Sequence, residues 1–430
     1  MNVIPRDQHC ISRTHISDSA LKVMSRLRGQ GHQAYLVGGA VRDLLLGGHP
    51  KDFDIATDAT PEEVHQLFRN SRIIGRRFRI VHVRFGREII EVTTFRGHHD
   101  NGEADARANS GNHSRQSASG MLLRDNVYGT LEEDAVRRDL TVNALYYDAG
   151  TFEVYDHVHG LEDLEKRHIC IIGDPQVRFR EDPVRMLRAV RFAAKLDFGI
   201  DSDTAAAIPE CAHLLRDIPA ARLFDEFLKL FLSGYAAATL EQLLRHDLLQ
   251  FLFPETSELL LEDEHYLALV RAAMANTDER IAQDKPVTPA FLLAALLWPV
   301  ASRLASQLEA RGEPPMPAMH SAAQQTIAEA VQFVSIPRRF SQPMREIWEF
   351  QLRLKKRQGK KAAELLEHRR FRAAYDFLLL REQAGEETDG LGDFWTQYQH
   401  LAPQDRHRQP ERDGPRRRRR PRRRRSNKSE

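Results

Sequence analysis

Two aspartates one residue apart, Asp52 and Asp54, close the stretch YLVGGAVRDLLLGGHPKDFDIAT, with 12 residues separating them from the diglycine Gly38-Gly39. On a strand, residues two apart project to the same face, so the carboxylates stand side by side while Phe53 turns toward a core. Like charges that close raise one another's proton affinity unless a cation lies between them. Such a pair suits two Mg²⁺ ions, or Mn²⁺ in their place, held about 3.5–4 Å apart on the attacking and leaving oxygens of phosphoryl transfer. The diglycine ends one element and opens AVRDLL. Without side chains, its backbone N–H groups can approach a phosphate closely, helped by a following helix N-terminus. Neither the dinucleotide fingerprint nor the lysine-containing phosphate loop has this spacing.

Elements able to position these groups are legible on both sides. Residues Ser17 to Arg28 read as an amphipathic helix with Leu21, Met24 and Leu27 on one stripe. AYLVGG reads as a buried strand, VRDLLLG as a turn or two of helix, and FDIAT as a second strand. In TPEEVHQLFRN, Thr60 can cap a helix, with Pro61 at its first position and Glu63 three residues after the cap. FRIVHVRFG and EIIEVTTFR alternate as a hairpin joined at Gly86. On the second of these, Glu91 is a candidate third metal carboxylate, and an ion pair with Arg96 is its structural alternative. Glu88, three positions earlier, faces the other way.

An α+β catalytic domain is expected over 15–150, with a mobile loop at 98–120, where Gly, Ser, Asn, Asp and Arg dominate. Helical periodicity takes over after Pro183, predicting a helical neck at 151–235 and a helical body at 236–400. The 430 residues exceed one core, 41% are hydrophobic, and the three cysteines have no disulfide or metal spacing. The run AFLLAALLWPV is about half of the ~20 residues that span a bilayer, and the N-terminus has no secretory h-region. A cytoplasmic monomer is expected. The net charge of +2 hides a division: residues 406–430 carry 13 Arg/Lys against 3 Asp/Glu, leaving an acidic remainder. The Arg-rich tail at 405–430 is expected to be disordered and to bind polyanions by counterion release.

The stretch LVGGAVRDLLLGGHPKDFDIATDATPEEV closely resembles the opening motif of the class II nucleotidyltransferase superfamily, the bacterial poly(A) polymerases and the CCA-adding tRNA nucleotidyltransferases. EIIEVTTFR, EEDAVRRDLTVNALYYD and GDPQVRFREDPVRMLRAVRFAAKL continue the likeness in family order across roughly residues 34–196. The resemblance implies a polymerase-β-like palm with a small mixed sheet. It makes Asp52 and Asp54 the metal-binding catalytic carboxylates, Asp139 a further catalytic acid, and Gly38, Gly39 and Arg42 holders of the triphosphate. Asp139 and Asn143, at i and i+4, can face one ribose, with Arg137 and Arg138 supplying charge for phosphate. REDPVRMLRAVRF resembles the nucleobase-reading motif: Asp182 can cap a helix whose one face carries Arg185 and Arg188.

These motifs do not separate enzymes that add only A from those that build CCA. One segment, IIGRRFRIVHV, resembles the bacterial poly(A) polymerase signature, with Arg79 and Ile80 where CCA-adding relatives carry a Gly-Thr-type pair. Arg76, Arg77 and Arg79 are therefore candidate RNA or triphosphate contacts, as are Arg416, Arg417, Arg418, Arg422 and Arg423 of the tail. The function expected from the resemblance is template-independent transfer of AMP from ATP to the 3′ ends of mRNA and small RNAs, marking them for decay. Its expected partners lie among RNA chaperones and the RNA-decay machinery. CCA addition to tRNA, or an inactive RNA-binding scaffold, are the alternatives.

Overall fold

The computed structural model describes residues 1–75, 79–97, 115–116, 122–124, 127–357 and 359–401. Most of the expected loop at 98–120, Arg76, Arg77 and the arginine tail lie outside the described residues. The chain divides into two units. The first comprises Met1–Glu258, Met274–Val287 and Glu329–Ile336; the second comprises Leu259–Ala273, Thr288–Ala328 and the chain from Pro337 onward.

The first unit is built on a mixed sheet of eight strands: Asn2–Ile4 (β1), Ala34–Val37 (β2), Asp54–Thr57 (β3), Ser71–Ile74 (β4), Ile80–Phe85 (β5), Glu88–Thr94 (β6), Leu145–Tyr147 (β7) and Val154–Asp156 (β8). Their spatial order is β1-β8-β7-β2-β3-β6-β5-β4. β3 and β6 run parallel, and every other neighbouring pair is antiparallel. A parallel pair needs a crossover, and here the helix Pro61–Leu67 (α3) and the β4–β5 ribbon supply it. The α+β expectation is met.

Local signals explain the helices near the site. In Asp18–Gly29 (α1), the Ser17 hydroxyl accepts from the Ala20 amide, and Ala20, Val23, Met24 and Leu27 are buried. The α3 cap is a full capping box between Thr60 and Glu63. One sheet face packs Ile55, Val81, Val83, Ile90 and Val92 against α1. At about 25 cal/mol per Å² of apolar area removed from water, burial on this face contributes to the unit's cohesion. The other face carries Val37, Ala56 and Tyr146, packed with Ala135 of the helix Leu131–Arg137 (α4). Because Asp54 and Ala56 are two apart, the site lies on that second face.

Three further helices bear on the site: Gly39–Leu45 (α2), whose Ala40, Val41 and Leu44 pack into the core on the α1 side, Pro175–Glu181 (α5) and Val184–Leu196 (α6). Ala220–Phe231 (α7) packs on α6. Among its described residues, the second unit contains no strand. Its helix Pro289–Ala310 is 22 residues long, longer than the apolar run in the sequence suggested, and by length and composition alone could cross a bilayer. Leu292, Leu293, Leu296 and Ala301 are nonetheless fully buried within the protein, and the Trp348 indole donates to the Ala294 carbonyl at 2.9 Å. It is a core helix of this unit.

Candidate active site

β2 ends where β3 begins: Val37 pairs with Asp54, which sets the diglycine beside the carboxylates. Gly38 has φ 75° and ψ −137°, a backbone open in practice only to glycine, and it turns the chain into α2. A Cβ on Gly38 would stand 3.9 Å from Nη1 of Arg138. Phe53 is buried and Asp52 exposed, so the alternation expected from the sequence holds even though the strand starts at Asp54.

Three strands bring three polar groups abreast. Asp54 is in register with Glu91 on parallel β6, and Glu91 with His82 on antiparallel β5. His82 Nε2 lies 3.0 Å from Oε1 of Glu91. That imidazole is a hydrogen-bond partner of the Glu91 carboxylate. Burial pushes the Asp54 carboxyl up to about 6; Glu91 and then Asp52 add to the effect, while Arg138 and His82 oppose it. A cation beside these carboxylates would lower the cost of their charge. Among the described residues, no three His, Cys, Asp or Glu side chains converge into a complete cage. Asp52, Asp54 and Glu91 are hard oxygen donors on one face, and a hard cation there would fill its shell with water and phosphate oxygens. On that chemistry the residues fit Mg²⁺.

The basic side of the site is more heavily built than spacing suggested. Arg138 donates through Nε and Nη2 to Oδ2 of Asp134 at 3.0 and 2.9 Å, and through Nε to the Tyr146 hydroxyl at 2.8 Å. Tyr146 in turn donates to Asp134 at 2.7 Å. Asp134, which sequence reasoning passed over, is buried and anchors this network. Burial disfavours the charge on Arg138, but Tyr146 and Asp134 more than compensate and raise its pKa. Burial also pulls Arg137 down to about 9, reinforced by repulsion from Arg96, Arg178, Arg185 and Arg138. Thr93, Arg96, Asp134, Arg137 and Arg138 line a cavity of about 210 Å³. Cations crowded this closely call for an anion.

Several sequence expectations change in detail. α4 stops at Arg137, so Asp139 and Asn143 do not share a helix face. Instead, Asp139 ion-pairs with Arg188 of α6, and the Asn143 side chain accepts from Arg42 Nη1 at 2.6 Å. Arg42 is 1% exposed and also donates to Asp43. It is a strut beneath the diglycine turn, with its guanidinium turned away from solvent. Asp182, Arg185 and Arg188 do not pair with one another. The Asp182 carboxylate accepts from Arg222 of α7 at 2.6 Å and from the Val184 amide at 3.3 Å, whereas Arg185 pairs with Glu181 at 2.9 Å. Arg178 caps α4, donating to the carbonyls of Arg137 and Arg138 at 2.7 and 2.6 Å. Arg79 pairs with Glu62 of α3 at 2.5 Å.

Paired carboxylates on a small mixed sheet, a glycine turn beside them and an arginine-lined cavity define a nucleotidyltransferase. The comparisons agree. Residues 34–170 match the poly A polymerase head domain, 197–260 the probable RNA and SrmB-binding site of polymerase A, and 311–429 the polymerase A arginine-rich C-terminus. The solved CCA-adding enzyme of Bacillus stearothermophilus in complex with CTP superposes with a TM-score of 0.58 at 26% identity, covering 88% of this chain and 80% of that one.

More particularly, the poly(A) polymerase I of Salmonella typhimurium is 49% identical over 94% of this chain and 87% of its own length. That of Haemophilus influenzae is 44% identical over 93% and 88%. The CCA-adding enzyme of Bacillus pumilus is 39% identical, but over only 52% of each chain. The chain belongs to the bacterial poly(A) polymerase family, and it is an RNA nucleotidyltransferase.

Proposed function

We propose that this enzyme extends RNA 3′ ends with AMP from ATP, without a template, releasing pyrophosphate. The carrying observation is the abreast set of Asp54 and Glu91, with Asp52 beside it, near half-buried arginines of which Arg138 stands by the glycine turn. Asp52 and Asp54, with Glu91 as the third carboxylate, would hold Mg²⁺, which when bound lowers the pKa of the 3′-hydroxyl and offsets charge on the triphosphate. The Gly38 and Gly39 backbone receives phosphate oxygens, Arg138 stands over that turn, and Arg137 balances charge at the leaving end. Asp139 holds Arg188 in place on the helix that reads the base. Asp182 and Arg185 offer an acceptor and a donor set to the base edge, each fixed by a second partner so that neither is free to rearrange.

ATP in preference to CTP is favoured by the reach of the likeness. The poly(A) polymerases align through the arginine-rich C-terminal region, whereas the CCA-adding relative aligns over half the chain. Arg79 and the tail arginines would contact RNA backbone, and the tails so made would mark RNAs for decay. The experiment offers ATP and CTP separately to a generic RNA and to a tRNA lacking its CCA end. AMP addition to both RNAs, with little CMP addition, is expected. Efficient CMP addition to the tRNA would replace this reading with CCA synthesis, and no addition at all with a non-catalytic RNA-binding role.

A further inference from the structure

Phe192, on α6, is half-buried and has three guanidinium groups around its ring. The Cζ atoms of Arg42, Arg188 and Arg191 lie 5.1, 5.6 and 4.6 Å from the ring centroid. Arg42 belongs to the glycine-turn side of the site, and Arg188 and Arg191 to α6. Arg42 lies under the diglycine turn and holds Asn143. Arg188 holds Asp139. Arg191 has neither an ion pair nor a hydrogen bond among the described residues, and its buried Nε is unpartnered. Three cations so close repel one another, and burial together with Arg188 depresses the Arg191 pKa. An aromatic face is the neutral surface that attracts all of them at once, through the negative lobes of its quadrupole.

We propose that Phe192 is a positioning residue for the nucleotide: its ring gathers Arg42, Arg188 and Arg191 and so registers the diglycine turn of the sheet against the base-reading helix. The inference rests on the proposed function, in which one ATP spans both elements, phosphates on the turn and base on α6. A ring that merely fills space would be replaceable by any apolar side chain of similar volume. A ring that gathers cations would be replaceable only by another aromatic.

The test compares Phe192→Leu with Phe192→Tyr. Binding of a non-hydrolysable ATP analogue with Mg²⁺ is measured by calorimetry, AMP transfer by steady-state kinetics, and folding by thermal denaturation. Phe192→Leu should weaken analogue binding and raise the KM for ATP about tenfold while kcat stays within about threefold, and Phe192→Tyr should restore both. If Phe192→Leu unfolds, Phe192→Met repeats the comparison with a flexible side chain that refills the volume. Unchanged binding in Phe192→Leu overturns the proposal, as does equal loss in the leucine and tyrosine variants. If the unaltered enzyme binds no ATP analogue, the proposed function itself fails and this inference falls with it; binding without an effect at Phe192 removes the inference alone.

Discussion

Asp54 and Glu91 stand directly abreast on the central parallel pair of the sheet, where burial and then the Glu91 charge make Asp54 harder to ionise. The pairing stores an electrostatic cost in the metal-free protein. With its carboxyl raised to about 6, Asp54 binds its proton more tightly folded than unfolded. Stability of the metal-free enzyme should therefore fall as pH rises from about 4 to about 6, with the full penalty present above that range. Asp54→Asn removes the charge and should stabilise the metal-free protein at pH 8 by about 3 kcal/mol, while abolishing AMP transfer. Urea denaturation in EDTA at pH 5 and pH 8 reads this directly. A variant less stable than its parent at pH 8 would contradict the stored cost.

Asp139 behaves in the opposite sense. Burial alone would raise its pKa, but the Arg188 guanidinium outweighs it and holds the carboxyl at about 2. A depressed acid lends stability that is present above its unfolded pKa and is lost as pH falls from about 4 to about 2. Arg188→Met leaves a buried carboxylate unpaired and should cost roughly 3–5 kcal/mol at pH 7. The gap should narrow at pH 3, where the orphaned acid takes up its proton. Arg185→Met should cost less, because its partner Glu181 keeps Arg178 at 2.8 Å. Equal losses at the two positions would show that the Asp139 pairing carries no special weight.

The elements of the first unit were legible because their signals are local. Caps at Ser17 and Thr60, the strand alternation around Phe53 and the turn at Gly86 act within a few residues. Even the His82–Glu91 pairing follows from the hairpin: Phe85 opposes Glu88, so counting outward sets 82 against 91. What spacing could not reveal is which arginine meets which acid. Arg42 with Asn143, Arg188 with Asp139 and Arg222 with Asp182 are long-range pairs fixed by how α2, α6 and α7 pack. The i, i+4 rule put Asp139 with Asn143 because it presumed a helix that stops at Arg137. Asp134 escaped notice for a similar reason: its importance comes from Tyr146 and Arg138, which lie on a strand and past a helix end.

The two glycines of the turn should respond differently to a methyl group. Gly38 sits at positive φ in a region closed to side chains, so Gly38→Ala should cost about 1–3 kcal/mol through the backbone. It should also raise the KM for ATP. Gly39 is the first residue of α2, and a Cβ there would meet Arg42 Nη2 at 3.4 Å, an ordinary contact. Gly39→Ala should therefore leave stability unchanged or raise it by up to about 1 kcal/mol, the usual range when the native backbone suits alanine. Thermal denaturation and ATP kinetics on both variants decide the matter. If Gly39→Ala loses ATP binding while remaining as stable as the parent, the backbone at Gly39 approaches phosphate more closely than the backbone at Gly38.

The arginine tail makes a claim that ionic strength can test. Deleting Pro415 to Glu430 removes ten arginines and lysines against one glutamate. If these side chains neutralise RNA phosphates, each lost contact should flatten the slope of log affinity against log salt by about 0.7 for a single strand. Affinity for a generic RNA should then drop most at low salt, while kcat on saturating RNA stays within about twofold, because the carboxylates and the glycine turn lie far away in sequence. Fluorescence anisotropy from 50 to 300 mM salt, roughly the range over which screening tightens, provides the measurement. An unchanged slope would assign the tail to solubility and leave RNA binding to the folded units.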